Sequence, residues 1–317
     1  MAGEGNILIA DKSALFALLH GDWASRIEAS LANTNPLYAC ATTLEGLSSF
    51  NVHNPLYGPP PISLLVHRSR DRRFSEAITC HLTSCDYPPG SFFKLRDGLY
   101  MTSPELTFIR MAPFVTEVQL AEIGMNLCAR YFIDVHTDEI NDRERFLTTP
   151  KKLRKFASTP PILPGSRKAL SALRWVLPNS GSPAETKMEL QYCLPLGRGG
   201  LALPFTAMNY DVRAGRLTPI MAQGKYSIDL ANPKREVGLE YDGEDSHPDP
   251  SADKRRRNEL KALGWDVFPI DKSVLYDPDA TIRSAEQIAK HMGIRLRRSK
   301  NWEPKFHQLR KELGLSR

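Results

Sequence analysis

Lys225-Tyr226-Ser227-Ile228-Asp229-Leu230-Ala231, then Asn232-Pro233-Lys234-Arg235, then Glu236-Val237-Gly238-Leu239-Glu240-Tyr241-Asp242-Gly243, reads as two β-strands joined by a turn. Tyr226, Ile228 and Leu230 alternate with Lys225, Ser227 and Asp229. Val237, Leu239 and Tyr241 alternate with Glu236, Gly238, Glu240 and Asp242. A period of two gives each strand one apolar face and one polar face. Tyr241 therefore points away from Glu240 and Asp242 and is expected in the core. Proline and asparagine between the runs supply the turn. With Pro233 and Lys234 at the tip, Asp229 faces Gly238 and lies diagonal to Glu240, within reach of a shared cation. Two or three carboxylates on one strand face, with no matching cation, repel one another. A divalent ion between them relieves that repulsion. Oxygen donors alone suit a hard cation, Mg²⁺ above all, with Mn²⁺ as substitute. The plainer alternative is a solvated strand face.

The flanks extend the pattern. Ser182-Pro183-Ala184-Glu185 is a helix start, with Ser182 as cap, Pro183 at the first position and Glu185 completing a capping box. Glu185 and Glu189 share a face at i, i+4. Downstream come His247 in a loop and the basic helix Asp253-Lys254-Arg255-Arg256-Arg257-Asn258-Glu259-Leu260-Lys261-Ala262-Leu263, stopped by Gly264. Trp265-Asp266-Val267-Phe268-Pro269-Ile270 then reads as a strand returning to the sheet.

This order resembles the PD-(D/E)XK nuclease superfamily, and within it the branch similar to very-short-patch repair endonucleases. The residues that carry the resemblance are Glu185, Asp229, the Glu240-Tyr241-Asp242-Gly243 run, His247, and Asp253 with Arg256 ahead of Leu260 and Gly264-Trp265. It spans roughly residues 180–275. It implies a restriction-endonuclease-like mixed sheet flanked by helices. Asp229, Glu240 and Glu185 would then be metal ligands, Asp242 a further ligand or base, and His247 a proton carrier or a group supporting the ligands from behind. The lysine of the superfamily name is replaced by Asp242, and Lys225, Lys187 and His247 are the candidates for its role.

The chain has 317 residues, room for two domains, and 41 % apolar residues. It contains no apolar run long enough to span a membrane. Cys40, Cys80, Cys85, Cys128 and Cys193 form no CxxC pair, which argues for reduced thiols in the cytoplasm and against structural zinc. The net charge is +6, and its placement says more than its size. Residues 253–317 carry +7 and residues 1–252 carry −1. A basic excess beside the acidic strand suits a phosphate-binding surface, with Arg255, Arg256 and Arg257 as the DNA phosphate contacts.

Residues 1–165 are expected to form a smaller α+β domain, and residues 166–317 the α/β nuclease-like domain with its basic extension. In the first part, Lys12 to Leu31 is helical by period. Strands are expected at Ile62–Val66, Ala77–Leu82 and Gly98–Thr102. Ser103-Pro104 starts a helix whose apolar period runs on to Leu127. Lys151–Lys155 is a short basic helix, and Thr159–Gly165 a linker into a helix from Ser166 to Leu177. Val66 through Met111 resembles the middle region of AbiEi-type abortive-infection proteins, through the strand pair leading to Thr102-Ser103-Pro104. That likeness implies a protein partner from a toxin–antitoxin pair. The winged helix-turn-helix that such proteins begin with is not legible in residues 1–50. The reading favoured is an Mg²⁺-dependent endonuclease acting on duplex DNA in phage defence or repair. The alternatives are a non-catalytic DNA-binding regulator on a decayed nuclease fold and an RNA-cleaving toxin.

Overall fold

The computed structural model describes residues 6–24, 27, 36–39, 50–213, 225–243 and 250–316. His247 lies outside the described residues. The protein is a mixed α/β chain that divides into two compact units, Met1–Val176 and Leu177–Arg317. The division falls after Val176, not after residue 165. The helix at Ser166–Ala172 packs on helices of the first unit and so belongs to it.

In the first unit, β1 (Ile7–Ile9), β2 (Ile62–Val66), β3 (Ile78–Leu82), β4 (Phe92–Arg96) and β5 (Leu99–Thr102) form one sheet in the order β3-β2-β1-β5-β4. β1 runs parallel to β5 and antiparallel to β2. Against it lie α1 (Asp11–Leu19) and α2 (Pro104–Met111), and α3 (Glu117–Leu127) packs on both helices. The expected helix from Lys12 closes at His20, whose N–H bonds back to Phe16 and Ala17, and residues 25, 26 and 28–31 of that expectation lie outside the described residues. The apolar run after Ser103 is two helices. The first ends at Ala112 ahead of Pro113, which cannot continue it, and the second starts from a capping box of Thr116 and Gln119. A small hairpin, β6 (Tyr131–Ile133) and β7 (Ile140–Asp142), then leads to α4 (Pro150–Ala157) and α5 (Ser166–Ala172).

The second unit starts with α6 (Pro183–Cys193), which packs on β9 and β10. Three antiparallel strands follow, β8 (Ala207–Arg213), β9 (Lys225–Asn232) and β10 (Val237–Asp242). Then come α7 (Pro250–Ala262) and β11 (Asp266–Asp271), which returns parallel to β10. The sheet order is β11-β10-β9-β8. Helices α8 (Lys272–Tyr276), α9 (Pro278–His291) and α10 (Trp302–Glu312) complete the unit. Gly264 takes φ +88 after α7, a backbone state that glycine adopts without strain.

The β9–β10 register differs from the expected one. Asn232 pairs with Val237, Ala231 with Gly238 and Leu230 with Leu239. The turn therefore holds four residues, Pro233 to Glu236, and Glu236 is a turn residue at φ +54, outside the strand. Extended by one step, this register sets Asp229 against Glu240 and away from Gly238. The alternation also changes phase at Asp229. In the β8–β9 ladder, Met208 pairs with Leu230 and Tyr210 with Ile228, but Asn209 and Asp229 between them do not pair. Ile228 and Ala231, three residues apart, then share one core with Tyr226, Leu260 and Trp265. Gly238 lies against that core, where an added Cβ would come 2.5 Å from Ile228 Cγ2. Gly238→Ala is expected to cost about 1–3 kcal/mol of stability through overpacking. Urea denaturation reads it, and an unchanged midpoint would mean that Ile228 yields without strain.

Candidate active site

Glu185, Glu189 and Glu240 are carboxylates in the interior of the second unit, 8 %, 4 % and 7 % exposed. A carboxylate loses its water there, so each must be paired, hydrogen-bonded or protonated. The three meet this requirement differently.

Glu185 stands at the third position of α6, where Ser182 Oγ accepts the Glu185 N–H at 3.2 Å. The expected capping box is half made. The Glu185 carboxylate accepts the Gly181 N–H at 2.8 Å and Asn209 Nδ2 at 2.6 Å, and the Ser182 side chain also acts on it. Asn209 is the residue at which the β8–β9 ladder breaks, and its φ is +46. Its Nδ2 also donates to Asn179 O, and Asn179 Nδ2 donates to Met208 O and Asn209 O. Two asparagines in left-handed backbone thus hold the first glutamate. Burial and then the charge of Asp229 push its pKa up to about 7, against the opposing pull of its hydrogen bonds.

Asp229 accepts the backbone N–H of Tyr241 at 2.8 Å, taking a donor that a regular ladder would use. Tyr241 is half-buried and not the core residue its alternation implies. The phase change at Asp229 leaves it at the margin of the packed region.

Glu240 faces a cation that sequence reading assigned elsewhere. Arg256 Nη1 donates to Glu240 Oε2 at 2.7 Å, and Arg256 Nη2 lies 2.5 Å from Oε1, off the hydrogen-bonding axis. The same Nη2 donates to Ser227 O at 2.6 Å, and the guanidinium lies 5.9 Å from the Tyr226 ring. Arg256 is therefore turned to the sheet, and only Arg255 and Arg257 of the three arginines are exposed. The strand face does have a matching cation. Burial is the first cause that raises the Glu240 pKa to about 7, with Asp229 and Asp242 adding to it and Arg256 opposing. Asp242 is half-buried at the end of β10.

Glu189 follows Glu185 by one turn, and its Oε2 has no hydrogen-bond partner. Burial raises its pKa to about 8. The lysine candidates lie elsewhere. Lys225 pairs with Asp211 at 3.3 Å on the exposed end of β9. Lys187 Nζ lies 3.7 Å from where a Cβ on Gly314 would stand.

The donor chemistry of Glu185, Asp229, Glu240 and Asp242 suits a hard divalent cation. Among the described residues, however, no three of His, Cys, Asp or Glu converge in the arrangement that would hold a metal. Asp229 is turned to Tyr241, Glu185 to Asn209 and Glu240 to Arg256. Asn179, Gly181 and Asn209 are site residues that strand and helix patterns do not single out. The local sign of Asn179 and Gly181 is the turn-rich Pro178-Asn179-Ser180-Gly181-Ser182-Pro183 stretch, and Asn209 has none. Comparison of the chain with protein-family models, with curated proteins and with solved structures finds no match.

The raised pKa values set the pH dependence of stability. A carboxyl whose folded pKa exceeds its ordinary 4.5 binds its proton more tightly when folded. Its stabilising contribution is full below about 4.5 and is lost as pH rises through the folded values of about 7 and 8. Glu189→Gln keeps the shape and removes the ionisation. The variant is expected to match wild type near pH 5 and to melt higher above about pH 8. Melting curves across this range check it, and parallel curves would show that Glu189 does not titrate in the folded protein.

Proposed function

We propose that the second unit is a metal-dependent nuclease domain acting on DNA, with Mg²⁺ or Mn²⁺ as its cofactor. The observation that carries this reading is the set Glu185, Asp229 and Glu240. Two of these carboxylates are buried with pKa values raised to about 7, and both feel the charge of Asp229. Strongly raised carboxyl pKa values on strands and an adjoining helix end are characteristic of sites that bind a cation or move a proton. The element order supports it further. A helix with Glu185, a strand with Asp229, a strand with Glu240, a helix with Arg256 and a return strand follow in the order on which the PD-(D/E)XK resemblance rests. The exposed Arg255 and Arg257 on α7 support a phosphate-binding role beside the site. Cys80, Cys85, Cys128 and Cys193 are free thiols, which supports a cytoplasmic setting. No helix among the described residues is long and apolar enough to cross a membrane.

Asp229 and Glu240 would hold the metal, Glu185 would hold it directly or through water, and Asp242 would be a further ligand or base. Bound there, a divalent ion supplies a more acidic water and neutralises charge on the phosphate. Arg256 must leave Glu240 for this, and its guanidinium is then free for the substrate phosphate. The Arg256–Glu240 pair also favours a second reading, a DNA-binding protein without catalysis. An arginine that permanently neutralises Glu240 removes the need for a metal.

Asp229→Asn keeps an acceptor for the Tyr241 N–H and removes the charge. It is expected to abolish nicking of supercoiled plasmid in Mg²⁺ or Mn²⁺ while the fold is retained. Cleavage that persists in chelator, or in Asp229→Asn at the wild-type rate, would overturn the nuclease reading. Arg256→Gln separates the two readings. Competition between guanidinium and metal predicts a larger Mg²⁺-dependent gain in melting temperature than in wild type, by mass action. This gain should grow from about pH 6 to about pH 8 as the carboxyls ionise. No gain in either protein favours the non-catalytic regulator.

Arg255→Gln with Arg257→Gln is expected to flatten the log K against log salt slope for duplex DNA by about two units, at about 0.9 for each phosphate the arginines neutralise. The weakening should be alike across sequences, since phosphates carry no code. Salt titrations in Ca²⁺ read the slope, and an unchanged slope would mean that this part of α7 does not face DNA.

A further inference from the structure

The first unit contains a cavity of about 390 Å³, the size class of small-molecule sites. Its wall is largely apolar, with Ile27, Pro88, Leu147 and Phe156 among the lining residues. Lys152 and Lys155 also line it. They are three apart on α4 and so share a face. Leu153 and Ala157 of the same helix are buried, whereas both lysines are exposed. Neither ammonium has a hydrogen bond or ion pair among the described residues, although other exposed lysines such as Lys94 and Lys225 do. The one acid among the described lining residues, Glu105, accepts Thr148 Oγ1 at 2.5 Å. Among the described lining residues, two cations stand against one carboxylate.

We propose that this cavity is a binding site for a small organic monoanion, an apolar carboxylate whose acyl or aromatic body enters the cavity and whose charge meets Lys152 and Lys155. Apolar burial supplies most of the affinity, and the two ammonium groups set the orientation and select the anion.

The test is calorimetric titration of the full chain with decanoate, with 1-naphthoate and with 1-naphthalenemethanol. The first two distinguish an acyl from an aromatic body, and the alcohol lacks the charge. At least one carboxylate is expected to bind, about tenfold or more tighter than the alcohol. Lys152→Gln with Lys155→Gln should remove that advantage and leave alcohol binding unchanged. Both changes are on the surface, so the fold is retained. Phe156→Ala should weaken carboxylate and alcohol alike, because it removes shared apolar wall. Failure of both carboxylates to bind, equal binding of carboxylate and alcohol, or wild-type carboxylate affinity in the double lysine variant would each overturn the proposal.

Discussion

Desolvation of carboxylates is the constraint around which the second unit is arranged. An ionised carboxyl in a protein interior costs several kcal/mol unless a charge, a set of donors or a proton compensates it. Glu240 has the Arg256 guanidinium, Glu185 has Gly181 and Asn209, and Glu189 has the Cys193 thiol and the proton that burial favours. Each solution has a structural consequence. Arg256 ties α7 to both Glu240 and the Ser227 carbonyl. Asn209 leaves the β8–β9 ladder to reach Glu185. Asp229 removes the Tyr241 N–H from the β9–β10 ladder. The irregular centre of an otherwise regular sheet follows from where these charges are placed.

The first unit meets the same constraint with one well-formed ion pair. Asp11, at φ +52 at the start of α1, is 1 % exposed and accepts Arg110 Nε and Nη2 at 2.7 and 2.8 Å. Arg110 Nη1 also donates to the Tyr87 hydroxyl. Arg143 closes the end of α1 by donating to the carbonyls of Leu18, Gly21 and Tyr131. Fixed donor forks satisfy carbonyls and carboxylates together, a task for which lysine is poorly shaped. These arginines hold the start and the end of α1 against elements far along the chain.

Local chemistry was the legible part. Ser103-Pro104 and Ser182-Pro183 start helices in the structure because a hydroxyl acceptor followed by a preset φ specifies a helix start within four residues. The strands at Ile62–Val66, Ile78–Leu82 and Leu99–Thr102 follow from short β-branched and apolar runs bounded by turns. The helix break after Met111 is marked locally by Pro113 and by the Thr116–Gln119 capping box, but the apolar period running past both masks it. The inward turn of Arg256 was hidden as well. In an Arg-Arg-Arg run, composition suggests a solvated or phosphate-binding face, and nothing local distinguishes the middle arginine.

The amino-acid order was enough to give the helix from Ser182, the strands that carry Asp229 and Glu240, the basic helix and the return strand, with Glu185, Asp229 and Glu240 within them, but not β8 between the helix and those strands. That succession depends on periodicity and capping, which act over a few residues. The partners of those carboxylates were decided only by the fold. Asp229 meets Tyr241 from twelve residues away, Glu240 meets Arg256 from sixteen and Glu185 meets Asn209 from twenty-four. Coulombic attraction and desolvation depend on distance in space and on excluded water. Neither is defined until the sheet has closed and its strand phase at Asp229 is set.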